Sequence, residues 1–93
     1  MRIDNPQDYT LQDIVVATDG KHKYVAILKH KTGRTKQVPF GDVSYSQYRD
    51  SLGVYSNLDH LDKKRQSSFF ARHAKNIGYK FSSAWFSKIF LWS

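Results

Sequence analysis

Tyr24-Val25-Ala26-Ile27-Leu28-Lys29-His30, then Lys31-Thr32-Gly33-Arg34, then Thr35-Lys36-Gln37-Val38-Pro39-Phe40: the reading of this run decides the fold. Its first part is apolar and rich in β-branched residues over the length of one strand. Its middle places a glycine where a tight turn tolerates positive φ. In its last part side chains alternate, so Val38 and Phe40 share a face. Pro39 has no N–H to give to a ladder, which makes this strand an edge or ends it here.

Upstream, Ile14-Val15-Val16-Ala17-Thr18 is a second short apolar run, and Asp19-Gly20 after it is a strong turn signal. Together these predict a three-stranded antiparallel meander from about residue 12 to about residue 40. Residues 1–11 are expected as a flexible N-terminal arm. A lone three-stranded sheet must cover one face, and the second half of the chain supplies the cover. Residues 41–58 are polar and carry Tyr45, Tyr48 and Tyr55. They are expected as a long connection, with a helical turn near Ser46 to Ser51. Asp62 is placed as an N-cap, for a helix from Lys63 to about Lys75 that Asn76 and Gly78 stop. Phe69, Phe70 and His73 form its inward stripe. Ser82 or Ser83 caps a second helix carrying Trp85, Phe86, Ile89, Phe90 and Trp92. The expected fold class is α+β: the meander, the long connection, and helices at about 62–76 and 82–92, in a single domain spanning 1–93.

Composition bounds the function. Ninety-three residues make one small domain, and 15% aromatic content provides enough apolar area to order it. With no cysteine, disulfides and thiolate metal sites are excluded. No run of apolar residues is long enough to span a bilayer, and the polar stretch Met1 to Tyr9 is not a signal peptide.

The net charge is +7, unevenly placed. Residues 1–20 hold one arginine against four aspartates, whereas residues 21–93 hold fourteen Lys or Arg against four aspartates. Such a field attracts polyanions, nucleic acid foremost. Two elements carry the cations: the hairpin, with Lys29, Lys31, Arg34 and Lys36, and the first helix, with Lys63, Lys64, Arg65, Arg72 and Lys75. These are the candidate nucleic-acid-binding residues, and the two elements are expected to line one groove. Ordinary solvated faces are the alternative reading. Cations in the first helical turn oppose the helix dipole, which hints at a ligand. The second helix offers Trp85, Phe86, Ile89, Phe90 and Trp92 either as a plug for the sheet or as anchors of a protein interface.

No catalytic motif is present. Phosphate-binding, nucleophile-elbow and dinucleotide patterns are missing. Ser67 and Ser68 stand six and five residues before His73, which does not put a base beside a nucleophile on one helix face. His60, Asp62 and His73 are ligand types without a regular pair spacing, so neither a metal nor a cofactor is expected.

Several pieces of the chain form a larger pattern: Phe40-Gly41, the block Leu58-Asp59-His60-Leu61-Asp62-Lys63-Lys64-Arg65, then Phe70-Ala71-Arg72-His73, then Trp85-Phe86-Ser87-Lys88 with Leu91-Trp92. This resembles a family of small, basic, uncharacterised proteins of large DNA viruses and phages. Its members begin with a short β meander ending in Phe-Gly, and continue with H-x-D-x-x-R, x-R-H and a tryptophan-rich ending. The stretch from Tyr45 to Leu58 is longer here than in that pattern, and the segment between His73 and Trp85 lacks an acidic, proline-containing piece. The resemblance implies a viral source and no catalytic residues. It also implies that His60, Asp62, Arg65, Arg72 and His73 fasten the long connection to the helix, with Asp62 pairing with Arg65 and His73 bonding a loop tyrosine.

The expected function is that of a non-enzymatic small basic viral protein that binds nucleic acid, DNA or RNA, through the basic helix and hairpin. Alternatives are a minor virion component docked on capsid or tail proteins through the aromatic C-terminal segment, and an inhibitor of a host protein. The expected location is the host cytoplasm or the virion.

Overall fold

The computed structural model describes residues 3–93. Three antiparallel strands, β1 (Tyr9–Val16), β2 (His22–His30) and β3 (Thr35–Asp42), form one sheet in the order β1-β2-β3. Two helices follow, α1 (Lys63–His73) and α2 (Ser83–Leu91). The fold is α+β, as the sequence predicts.

The central strand shows why. Tyr24, Ala26 and Leu28 alternate along β2 and are buried, and Val38 and Phe40 join them from β3 on the same face. Register places Phe40 opposite Tyr24 and Val38 opposite Ala26. Pro39 lies opposite Val25 on an edge strand, where its missing N–H leaves no gap in the sheet. The β2–β3 turn closes with His30 N–H donating to Arg34 O at 2.7 Å, and Gly33 has the expected positive φ.

Helix α2 lies on this face and completes the core. Phe86 stacks on Phe40 with ring centroids 5.4 Å apart, and Phe81 stacks on Phe86 at 5.8 Å. Tyr24 stacks on Phe40 at 5.7 Å, so an aromatic column crosses from the sheet into the helical layer. Each fully buried ring contributes about 1.5–3 kcal/mol through burial, plus the preference of offset rings at these distances. Phe81 adopts the left-handed region, φ 67, at the entry to α2. That conformation costs a non-glycine residue about 1–3 kcal/mol, which burial of its ring offsets. Ser82 then caps α2, accepting from Trp85 N at 3.1 Å.

Asp62 caps α1 as its position predicts, accepting from Lys64 N at 2.9 Å and Arg65 N at 3.3 Å. The inward stripe narrows to one buried residue, Phe69, which stacks on Trp92 with centroids 4.5 Å apart. Gln66 adds a hydrogen bond from Nε2 to Trp92 O at 2.8 Å. The end of α2 therefore holds α1 in place.

Two expectations need correction. Residues 3–11 do not form an arm. Ile3 is buried in the core, Pro6–Asp8 is a 3-10 turn, and β1 starts at Tyr9 opposite His30. Residues 1 and 2 of that expected arm lie outside the described residues. A bulge between Leu11 and Asp13 shifts the register and blurs the alternation that marks a strand. The helical turn near Ser46 to Ser51 is absent, because Gln47 and Asp50 bind backbone groups of their own loop. Gln47 instead pairs with Asp59 in a parallel bridge, and the 3-10 turn of the connection falls at Ser56–Leu58.

Candidate functional site

The long connection is irregular but tightly fastened. Tyr24 Oη donates to Asp50 Oδ2 at 2.6 Å, and Asp50 also accepts from Leu52 N and Tyr55 N at 2.9 and 2.8 Å. Gln47 is fully buried; its Nε2 donates to Tyr55 O at 2.9 Å and Asp59 Oδ1 at 2.6 Å. Its Oε1 accepts from Lys23 Nζ at 2.6 Å, and the same ammonium donates to Tyr45 O at 2.7 Å. Lys23 is only 2% exposed. Burial pushes its pKa down, while Asp50, Asp42 and Asp59 act against that shift. Burial and the Asp50 hydrogen bond push the Tyr24 phenol well above its usual range. At the far side, Arg49 N and Ser51 N donate to Leu91 O and Phe90 O, both at 2.9 Å, which satisfies the last carbonyls of α2.

These fastenings leave a groove of about 1210 Å³ between the β1–β2 turn, the start of the connection, α1 and α2. Lys64, Ser68 and Arg72 recur every four residues, so they form one stripe along α1, and Arg65 lines the groove beside them. Lys21 and His22 face them from the β1–β2 turn and the start of β2, and the buried Lys23 also contributes to the groove lining. Asp19 organises that turn. It accepts from Lys21 N and His22 N at 2.9 Å each, and pairs with His22 Nδ1 at 2.6 Å. The His22 contacts hold its carboxyl well below the usual carboxylate range. Asp42 is the acidic residue on the groove wall.

Two further histidines line the groove. His60 Nδ1 accepts from Asp62 N at 2.9 Å, so the neutral ring carries its proton on Nε2. That Nε2 is buried without a hydrogen-bond partner among the described residues. The ring packs against Trp92 at 5.3 Å and edge-on to Tyr48 at 6.3 Å. His73 rests on Phe69, centroids 4.5 Å apart. Burial lowers both histidine pKa values, with Arg65 and Arg72 adding to the shift at His60 and His73 respectively. Of the fastener role implied for this block, the pairing of Asp62 with Arg65 is present, whereas the contact with the loop tyrosine is made by a different histidine. His60 meets the loop tyrosine, His73 stacks on a phenylalanine, and Asp62 caps α1 with Arg65 Nε 3.8 Å from its Oδ2. Among the described residues no group of three or more His, Asp, Glu or Cys is placed to hold a metal ion.

The basic candidates separate. Lys64, Arg65 and Arg72 line the groove, Lys63 is exposed outside its lining, and Lys75 borders a second recess of about 430 Å³ that shares Phe69 and His73. The hairpin cations Lys29, Lys31, Arg34 and Lys36 are exposed at the other end of the sheet. At the usual strand rise, His22 and His30 are roughly 26 Å apart. The groove is thus closed by the β1–β2 turn and not by the expected hairpin, because α1 lies against Trp92 and the connection. Lys31 pairs there with Asp8 at 3.4 Å. Lys21, His22 and Lys23 went unnoticed in the sequence because they sit beside a turn signal. Their clustering as Lys-His-Lys was the available clue.

The aromatic candidates separate too. Phe86 is fully buried, and Trp85, Phe90 and Trp92 are half-buried against the core; Ile89 is the exposed member of the set. A surface built on all five is not present, because Phe86 is fully buried and Trp85, Phe90 and Trp92 pack against the core. No helix among the described residues is long and apolar enough to cross a membrane. In comparisons with family models, curated proteins and solved structures, no match to this chain is found.

Proposed function

We propose that the protein binds nucleic acid non-enzymatically, with the phosphates lying in the groove between α1 and the β1–β2 turn. One observation carries this reading. Lys21, Lys64, Arg65 and Arg72, from two separate elements, line one concavity with a single acidic residue, Asp42, on its wall. Scattered solvated cations have no reason to converge. The charge also explains the cations at the start of α1, which disfavour the helix dipole locally and become useful with phosphate nearby. The viral source, and a place in the host cytoplasm or the virion, belong to the same proposal.

The test is fluorescence anisotropy with labelled oligonucleotides across a salt series. Four phosphates neutralised give a slope of log K against log salt of about −3 to −4. Alanine at Lys64, Arg65 and Arg72 together reduces the magnitude of that slope by about 2–3, across all sequences. Alanine at Lys29, Lys31, Arg34 and Lys36 leaves it nearly unchanged, because those residues lie at the other end of the sheet. No binding at low salt, or a slope that follows the hairpin variant, overturns the proposal.

A further inference from the structure

We infer that the ligand of this groove is a single strand of nucleic acid, with Tyr45 as the surface on which one of its bases stacks; this rests on the nucleic-acid reading above. A duplex is a stiff convex cylinder, and proteins read it with elements that protrude into its grooves. Here the arrangement is inverted. Lys64, Arg65 and Arg72 stand on the wall of a recess, where the backbone of a flexible strand can reach them. Single-strand binders pair such a charged trough with aromatic faces.

Tyr45 supplies the face. It lines the groove and is 69% exposed, far more than any tyrosine of the core. Its backbone, by contrast, is held at both ends. Tyr45 N donates to Asp42 O at 3.2 Å, and Tyr45 O accepts from Lys23 Nζ at 2.7 Å. Ser44 N donates to Asp42 Oδ1 at 2.8 Å, which fixes the preceding residue. Withdrawing a lysine from water is costly, and one of the two acceptors that hold Lys23 there is this carbonyl. An aromatic ring left in solvent on a fixed backbone, inside a basic groove, loses little freedom on stacking a base. Stacking tolerates any sequence, because every base has a π face.

The experiment compares three labelled probes at one salt concentration: an oligothymidylate of about twelve nucleotides, within the ~4–16 nucleotide site sizes of single-strand binders, a blunt duplex of equal length, and heparin. The single strand is expected to bind about tenfold tighter than the duplex. Tyr45→Ala is expected to weaken the single strand about tenfold and to leave heparin unchanged. Tyr45→Phe, which keeps the ring, retains the wild-type affinity. Equal or tighter duplex binding overturns the inference while the nucleic-acid reading stands. So does a Tyr45→Ala protein that binds the strand as the wild type does, or one whose heparin binding falls equally. If no probe binds at low salt, the nucleic-acid reading itself fails. The ring is solvent-exposed, so circular dichroism of Tyr45→Ala matches wild type.

Discussion

His60 does its work as a neutral ring. Its Nδ1 receives the Asp62 N–H at 2.9 Å at the entry to α1, and burial disfavours the imidazolium. His73, also shifted down by burial, behaves alike. The sign of the pH dependence follows. In the unfolded chain both rings titrate near 6.5, whereas in the fold they titrate lower. As pH falls below about 6.5 the unfolded state takes up protons first, so stability declines until the folded pKa values are passed. The urea midpoint is therefore lower at about pH 5 than at about pH 7.5. His60→Asn keeps an acceptor near the Nδ1 position and does not titrate. It flattens part of this decline and leaves the His73 part; an unaltered profile would sink the assignment. Asp62 was readable as a cap because capping is local, a carboxylate set just before a run of helix formers. Lys23, Gln47 and Asp50 were not. Their partners lie 24, 12 and 26 residues away in sequence, and nothing in a local pattern announces a buried amine.

At the scale of elements, the junction of β3 with α2 depends on a missing side chain. Gly41 has φ 75, and a Cβ there would stand 2.8 Å from Leu91 Cδ1 and 3.2 Å from Lys23 Cβ. Gly20 has a similar φ of 74 with nothing within 4 Å. The pair separates strain from crowding. Gly20→Ala costs about 1 kcal/mol for the left-handed backbone alone. Gly41→Ala costs about 2–4 kcal/mol, the excess arising from overpacking against Leu91. Urea denaturation of both variants checks this, and equal losses would show that α2 yields freely. The strands β2 and β3 and both helices were legible from period and caps, to within a few residues. The early start of β1 was not, since its bulge interrupts the alternation. Nor was the shape of the connection, where side chains replace the regular backbone ladders that leave a periodic trace.

For the whole molecule, the candidate site exists through juxtaposition. The sequence displayed the cations of α1 but not what they face, because that depends on how the end of α2 seats α1. The chain measures 41 × 27 × 18 Å, its smallest dimension matching a sheet with one helical layer. The β1–β2 turn, the connection and both helices therefore meet around one trough, while the β2–β3 hairpin projects away. The same seating shuts Lys23 in. The chain has ten lysines, and the other nine are exposed. An amine-reactive acylating reagent will modify those nine within its ordinary solution lifetime. It reaches Lys23 only when residues 43–61 lift away from the sheet. Peptide mass mapping after timed labelling should show Lys23 reacting last, at a rate that rises with urea in step with loss of the aromatic core. Acylation of Lys23 as fast as Lys21 would mean that the connection opens on its own. The buried lysine thus makes the protein carry its own clock for opening, read out in mass units at one position.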